Sequence, residues 1–224
     1  MVIEVNGSRC EGWSVSFRIV NDFRLAAGDT RLVDSRSSSW EAGDGSTMRY
    51  SQRQYVNNRL ENDVLITATR GENGAAGKGE ITKPETESFT LPPETVFPVA
   101  HQNRLIEAAG QGSKRDESII FDGSDGRKSF LAISFIGPRK EPEPLSSDVS
   151  GSGVEILSKL PSWPVTISYF PFSEEPQGEE TPSHQVSFIM YENGVAGDLT
   201  LDYGDFSLQG RVTSVEVIDQ PPCD

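Results

Sequence analysis

The chain has 224 residues, of which 35% are hydrophobic and 24% are charged, and its formal net charge is −14. This length suits one large β domain, and a field this negative repels phosphate backbones and anionic headgroups, which argues against nucleic acid as a partner. No run of eighteen apolar residues occurs, so the sequence predicts no transmembrane segment.

Alternating apolar and polar residues predict β-strands along most of the chain. WSVSFRIV (13–20) places Trp13, Val15, Phe17 and Ile19 on one face of a half-buried strand. Four later runs alternate in the same way: DVLITATR (63–70), SFLAISFIG (129–137), WPVTISYFPF (163–172) and HQVSFIMY (184–191). Asn193-Gly194 predicts a hairpin, and DGSDG (122–126) predicts another reversal. About a dozen strands are expected.

One segment, LPPETVFPVAHQNRLIEAAGQG (91–112), has helical rather than strand periodicity. Pro98 suits a first helical position and Gly110 a C-terminal stop, so a helix is predicted within residues 95–110. Its apolar face comprises Val99, Gln102, Leu105, Ile106 and Ala109. We expect this amphipathic helix to pack against the sheet and to be the only helix longer than two turns.

The C-terminal run DFSLQGRVTSVEVI alternates through Leu208, Val212, Val215 and Val217, with Gly210 as an expected bulge or bend. Within DYGDF, strand geometry would place Asp202 and Phe206 on one face, with Phe206 toward the core, and Asp205 on the other. Two acidic, proline-containing stretches, 139–155 and 173–184, are expected to be solvated loops.

No constellation of residues predicts catalysis, metal binding or a cofactor. The two histidines, His101 and His184, are far apart, and His101 is expected to pack and to donate one hydrogen bond to a backbone carbonyl. GENGAAGKG (71–79) lacks the first glycine and the final Ser or Thr of a phosphate-binding loop. Asp202 and Asp205 are interpreted as structural, and the chain as a non-enzyme with no catalytic, cofactor-binding or metal-ligating residues.

Several stretches together resemble the envelope integrity protein B family of Gram-negative alphaproteobacteria. They are SRCEGW, LPPETVFPVAHQNRLIEAA, FDGSDG, WPVTISYF, NGVAGDLTLDYGDFSLQGRV and the closing Cys223. The resemblance implies a mostly β fold, in which a single broken, spiral-like antiparallel sheet packs against one helix. It also implies a periplasmic protein that maintains envelope integrity. On this basis residues 1–224 are expected to be a single domain that lacks its native signal peptide and first strand.

The resemblance also bears on the two cysteines, Cys10 and Cys223, which lie almost at the two ends of the chain. In a periplasmic protein they would most simply form one disulfide, which is the pair that the resemblance implies. Two unrelated thiols are the alternative, favoured if the protein is cytoplasmic.

Three classes of function are compatible with this sequence. The first is a periplasmic protein that binds another envelope protein or a cell-wall component. The second is a carrier or sensor that holds an apolar lipid or lipoprotein ligand between sheet and helix, an argument from fold alone. The third is a hydrolase, for which the sequence offers no recognisable set of catalytic residues. An open apolar concavity would favour the carrier, and a tightly filled one would favour the interaction protein.

Overall fold

The computed structural model describes residues 1–24, 28–173, 181–218 and 223. Two compact units divide the chain: unit 1 holds residues 1–99, 121–129 and the chain end with Cys223, and unit 2 holds residues 100–120 and 130–219. Most of the described residues lie in antiparallel strands, as predicted.

Unit 1 contains a seven-stranded antiparallel sheet in which every strand pairs with its neighbour in the sequence. Its strands are β1 (Val2–Ser8), β2 (Gly12–Arg24), β3 (Thr30–Glu41), β4 (Thr47–Val56), β5 (Arg59–Thr69), β6 (Gly77–Lys83) and β7 (Glu87–Leu91). One face carries the core of the unit, formed by Met48, Tyr50, Ile66, Ala68, Leu91, Phe97 and Phe121. The GENGAAGKG segment leads into strand β6, so the rejection of a phosphate-binding loop is consistent with the fold.

Unit 2 contains a six-stranded antiparallel sheet with the order β13-β12-β11-β10-β9-β8. Its strands are β8 (Arg115–Ile120), β9 (Phe130–Ile136), β10 (Ser162–Pro171), β11 (His184–Tyr191), β12 (Ala196–Asp202) and β13 (Ser207–Gly210). The predicted hairpin at Asn193-Gly194 joins β11 to β12. Gly194 adopts φ +86° there, a conformation that glycine accepts without strain.

The helix prediction is confirmed: α1 spans Pro98–Gly110, and the other described α-helix, α2, is the short Gly153–Leu157. The buried face of α1 is centred on His101, Leu105 and Ala109, about one position from the predicted face. The left-handed residue that closes α1 is Gly112, at φ +79°, rather than Gly110. Among the described residues, no helix has the length and apolar character needed to cross a bilayer.

The mostly β fold with about a dozen antiparallel strands is confirmed. The expected single, broken sheet is divided into two separate sheets. The strands form two open sheets because α1 follows β7, and the next strand, β8, hydrogen-bonds to β9. An antiparallel pair joined by a short turn closes more easily than a pairing across an inserted helix.

The C-terminal prediction is wrong beyond Gly210, where β13 ends. The next residues bond to another segment: Ser150 N donates to Thr213 O at 3.1 Å, and Gly153 N donates to Val215 O at 3.0 Å. From Ser150 onward, the predicted loop 139–155 is therefore held by backbone hydrogen bonds to the C-terminal segment. Of the second predicted loop, residues 174–180 lie outside the described residues.

Candidate interaction surface

The disulfide between Cys10 and Cys223 is present in the structure, with their Cα atoms 5.9 Å apart. Cys10 lies in the turn between β1 and β2, where the Ser8 hydroxyl accepts the backbone N–H groups of Cys10 and Glu11 at 3.3 Å each. The bond joins positions separated by 213 residues and fastens the chain end to the first hairpin.

His101 is buried within unit 2 and contacts side chains of two strands. Its Nε2 atom lies 3.5 Å from Asp116 Oδ2 of β8 and 3.4 Å from Ser134 Oγ of β9. Asp116 also accepts hydrogen bonds from Arg104 at 3.0 Å and from Ser118 at 2.7 Å. The expected backbone carbonyl partner was therefore wrong. A buried imidazole on α1 instead meets a carboxylate and a hydroxyl, which fixes α1 to β8 and β9.

Hydrogen bonding from His101, aided by Ser118 and Arg104, holds the pKa of Asp116 well below its usual range, although burial opposes the shift. A carboxyl with a depressed folded pKa stabilises the protein above its unfolded pKa of about 3.9, and that contribution is lost as the pH falls through the folded pKa. Asp116→Asn is therefore expected to reduce the free energy of unfolding at pH 7, by an amount that shrinks steadily below about pH 4.

Urea unfolding at several pH values between about 7 and 2 measures this gap between wild type and Asp116→Asn. Glu117→Gln, which changes an exposed carboxylate on the same strand, is the control and should follow the wild type. A gap that stays constant down to about pH 2 would contradict the assignment.

A second buried carboxylate, Glu41 at the end of β3, supports the start of α1. Its side chain is 1% exposed. Oε1 and Oε2 accept the Val99 backbone N–H at 2.9 and 3.1 Å. Pro98 has no N–H, so the Val99 N–H is the first helical donor that needs a partner. No local sequence pattern marks Glu41, because 58 positions separate it from Val99.

The DYGDF prediction is corrected by a tight turn. Tyr203 N donates to Phe206 O at 3.0 Å, so residues 203–206 connect β12 to β13 instead of continuing a strand. Phe206 is 56% exposed and does not enter the core. Its ring stacks on Tyr203 at 5.0 Å, and Tyr203 stacks on His184 at 5.7 Å. Asp202 accepts the Gly204 N–H at 2.9 Å, which is the hydrogen bond of an Asx turn.

The face of β2–β4 opposite the core of unit 1 carries a patterned set of exposed charged side chains. Five arginines and two aspartates project from it: Arg18, Arg24, Arg36, Arg49, Arg53, Asp22 and Asp34. Hydrogen bonds from Arg18 and Arg36 hold the pKa of Asp34 well below its usual range. A net positive face is unusual in a chain whose net charge is −14. It makes this face the candidate interaction surface.

Two further observations concern metal and ligand sites. Across those residues there is no group of three or more His, Cys, Asp or Glu side chains that could hold a metal ion. Within unit 1, a shallow depression of about 160 Å³ is lined by Arg70, Gly71, Ala75, Pro92, Glu94 and Thr95.

Comparison with known proteins places this geometry in a family. The model of the family described as EipB-like matches residues 1–219. The chain belongs to the EipB-like family. Over 219 residues it is 31% identical to the cell envelope integrity protein EipB of Brucella abortus (strain 2308). This alignment covers 98% of this chain and 75% of that protein.

A solved structure agrees with the family assignment. The crystal structure of a beta-barrel-like protein of the domain of unknown function DUF1849, also from Brucella abortus, superposes with a TM-score of 0.84 at 29% identity. The match covers 97% of this chain and 86% of that one. The resemblance to the envelope integrity protein B family, inferred from short sequence blocks, is thereby confirmed.

Proposed function

We propose that this chain is a non-enzymatic periplasmic protein that supports cell-envelope integrity by binding another envelope protein or a cell-wall component. The observation that carries the proposal is the relationship to EipB-like proteins, which extends over 98% of the chain and includes a relative named for cell envelope integrity. Relatedness at this level and coverage supports a shared general role.

A periplasmic location is supported by the cysteines. Cys10 and Cys223 are bonded to each other, and disulfides persist in oxidising compartments such as the periplasm. The proposal requires that the native gene encode a secretion signal.

The polar chemistry of the described residues supports binding rather than catalysis. His101 and Asp116 are engaged with each other and with neighbouring side chains, and Glu41 is engaged with the start of α1. The exposed arginines of β2–β4 are directed away from the core of unit 1 and are accessible to a partner.

The carrier alternative has less support. The depression in unit 1 is open to solvent and encloses no room for a ligand, whereas pockets that hold a drug-sized ligand measure roughly 300–1,000 Å³. We therefore prefer the interaction protein.

Deleting the gene from its native bacterium is expected to increase killing by detergent and by cell-wall-targeting antibiotics. The protein with its secretion signal should restore resistance, because the proposed partner lies in the envelope. The same protein produced without that signal is the control and should not. Survival of the deletion strain at wild-type levels under both challenges would contradict the proposal, as would rescue by the unsecreted protein.

A further inference from the structure

Three arginines lie directly opposite one another on adjacent strands of the seven-stranded sheet. The register pairs Arg18 of β2 with Arg36 of β3, and Arg36 with Arg53 of β4. Their side chains are 53%, 53% and 59% exposed. Because neighbouring strands are about 4.8 Å apart, this arginine row runs across the strands for about 10 Å.

Direct opposition of like charges weakens a sheet, so the arginine row needs compensation. Asp34 is shared by Arg18 and Arg36, and Asp63 is shared by Arg53 at 3.5 Å and Lys83 at 2.9 Å. Four cations thus share two carboxylates, which leaves a formal excess of two positive charges. An arrangement that breaks a rule of sheet stability is expected at a functional site, and here an anionic ligand would supply the missing charge.

The arginine row already binds one carboxylate, and this shows which chemistry its geometry fits. Arg18 Nε and Nη2 donate to the two oxygens of Asp34 at 3.0 and 2.9 Å, the parallel two-point contact typical of a guanidinium and a carboxylate. Arg36 Nη2 donates to Asp34 Oδ2 at 2.7 Å. The guanidinium N–H groups outside these contacts can donate to further carboxylates in the same way.

A row of hydroxyl groups lies beside the arginine row on the same face. Ser16 of β2 is opposite Ser38 of β3, which is opposite Ser51 of β4. The Ser38 and Ser51 hydroxyls lie 2.8 Å apart and retain capacity for further hydrogen bonds. Guanidinium groups beside hydroxyl groups complement a ligand that alternates carboxylates with hydroxyls.

We propose that the arginine row and the serine row bind a carboxylate-bearing glycan chain that crosses strands β2–β4. The inference rests on the proposed function, of which it specifies the cell-wall component. A flat anionic membrane or a nucleic acid would approach many acidic groups of a chain with a net charge of −14. A single glycan chain that crosses β2–β4 lies along the two rows, and charges farther than about 8 Å from it are largely screened at physiological salt.

The test is titration of the purified, disulfide-bonded protein with an oligogalacturonate of about ten residues, followed by isothermal calorimetry, with neutral dextran as a comparison ligand. We expect binding to oligogalacturonate that weakens as salt increases, and no binding to dextran. Arg36→Gln/Arg53→Gln should weaken binding at least about tenfold, because each lost guanidinium removes a charge-assisted hydrogen bond.

The matched control is Arg115→Gln, which removes an exposed, ion-paired arginine of unit 2 and should bind like the wild type. A variant that is expected to bind more tightly is also needed, because an unfolded variant would lose binding whatever the role of the substituted residue. Asp34→Asn releases Arg18 and Arg36 from their internal carboxylate and should tighten binding at least about threefold.

Three results would overturn the inference: no binding by the wild type at low salt, equal binding by wild type and Arg36→Gln/Arg53→Gln, or equal binding to anionic phosphatidylglycerol vesicles. Loss of oligogalacturonate binding alone leaves the proposed function intact, because that function is tested by gene deletion and rescue. If deletion and rescue fail while the purified protein still binds oligogalacturonate, the proposed function fails and the glycan site stands.

Discussion

Replacing Cys10 and Cys223 together with serine is expected to lower the free energy of unfolding by up to about 5 kcal/mol. The disulfide links positions 213 residues apart, so its removal frees almost the entire unfolded chain. Loop-closure entropy increases with the logarithm of loop length, and residual structure in the unfolded chain makes the nominal value an upper bound.

Urea unfolding under non-reducing conditions measures this loss. The double variant and the wild type in excess dithiothreitol should unfold at the same urea concentration, and dithiothreitol should not affect the double variant. Thiol titration of native wild-type protein should find no reactive thiol before reduction and two after it. Two reactive thiols in unreduced protein would show that the bond does not form.

Glu41→Ala is expected to lower the free energy of unfolding by about 2–4 kcal/mol. The substitution removes a buried carboxylate that accepts the Val99 N–H with both oxygens, and it leaves that donor without its partner. It also empties volume in a packed region.

Glu41→Gln separates these contributions, because it keeps the side-chain volume and one oxygen acceptor but removes the second oxygen acceptor. We expect it to lose about half as much stability as Glu41→Ala. Glu61→Ala, at an exposed position of β5, should stay within about 0.5 kcal/mol of the wild type. If thermal and urea unfolding show Glu41→Ala to be as stable as Glu61→Ala, the carboxylate does not support the helix.

Strong periodicity made most elements predictable. Trp13, Val15, Phe17 and Ile19 alternate over enough residues to define a strand face, and they are half-buried while the serines between them are exposed. The helix was predictable because Pro98 suits a first turn and the following residues change to helical spacing. These signals are local, so they survive without knowledge of the fold.

Predictions failed where a short segment could satisfy its hydrogen bonds in two ways. DYGDF has the alternation of a strand, but Asp202 bonds to the Gly204 N–H and the chain reverses there. Phe206 consequently stacks on Tyr203 and stays exposed. Beyond Gly210, the backbone hydrogen-bonds to residues 150–153 and not to a neighbouring strand. These hydrogen bonds join segments more than sixty positions apart, so no local pattern predicts them.

The candidate interaction surface likewise combines a feature that the sequence predicts with one that only the fold shows. That Arg18, Arg36 and Arg53 are polar positions of alternating strands follows from the sequence, but their alignment in one row does not. Strand register depends on turn geometry and on which side chains pack across the sheet, and a shift of one residue would move an arginine to the opposite face.

The sequence by itself determined the β-rich class, the single long helix, the family and the two cysteines available for one disulfide, because these follow from local periodicity and from recognisable blocks. Only the tertiary structure decided that the strands form two sheets, that His101 meets Asp116 and Ser134, that Glu41 supports the start of α1, and that three arginines share one row. Those arrangements depend on contacts between residues distant in the chain, whose free energy arises only when the whole unit packs.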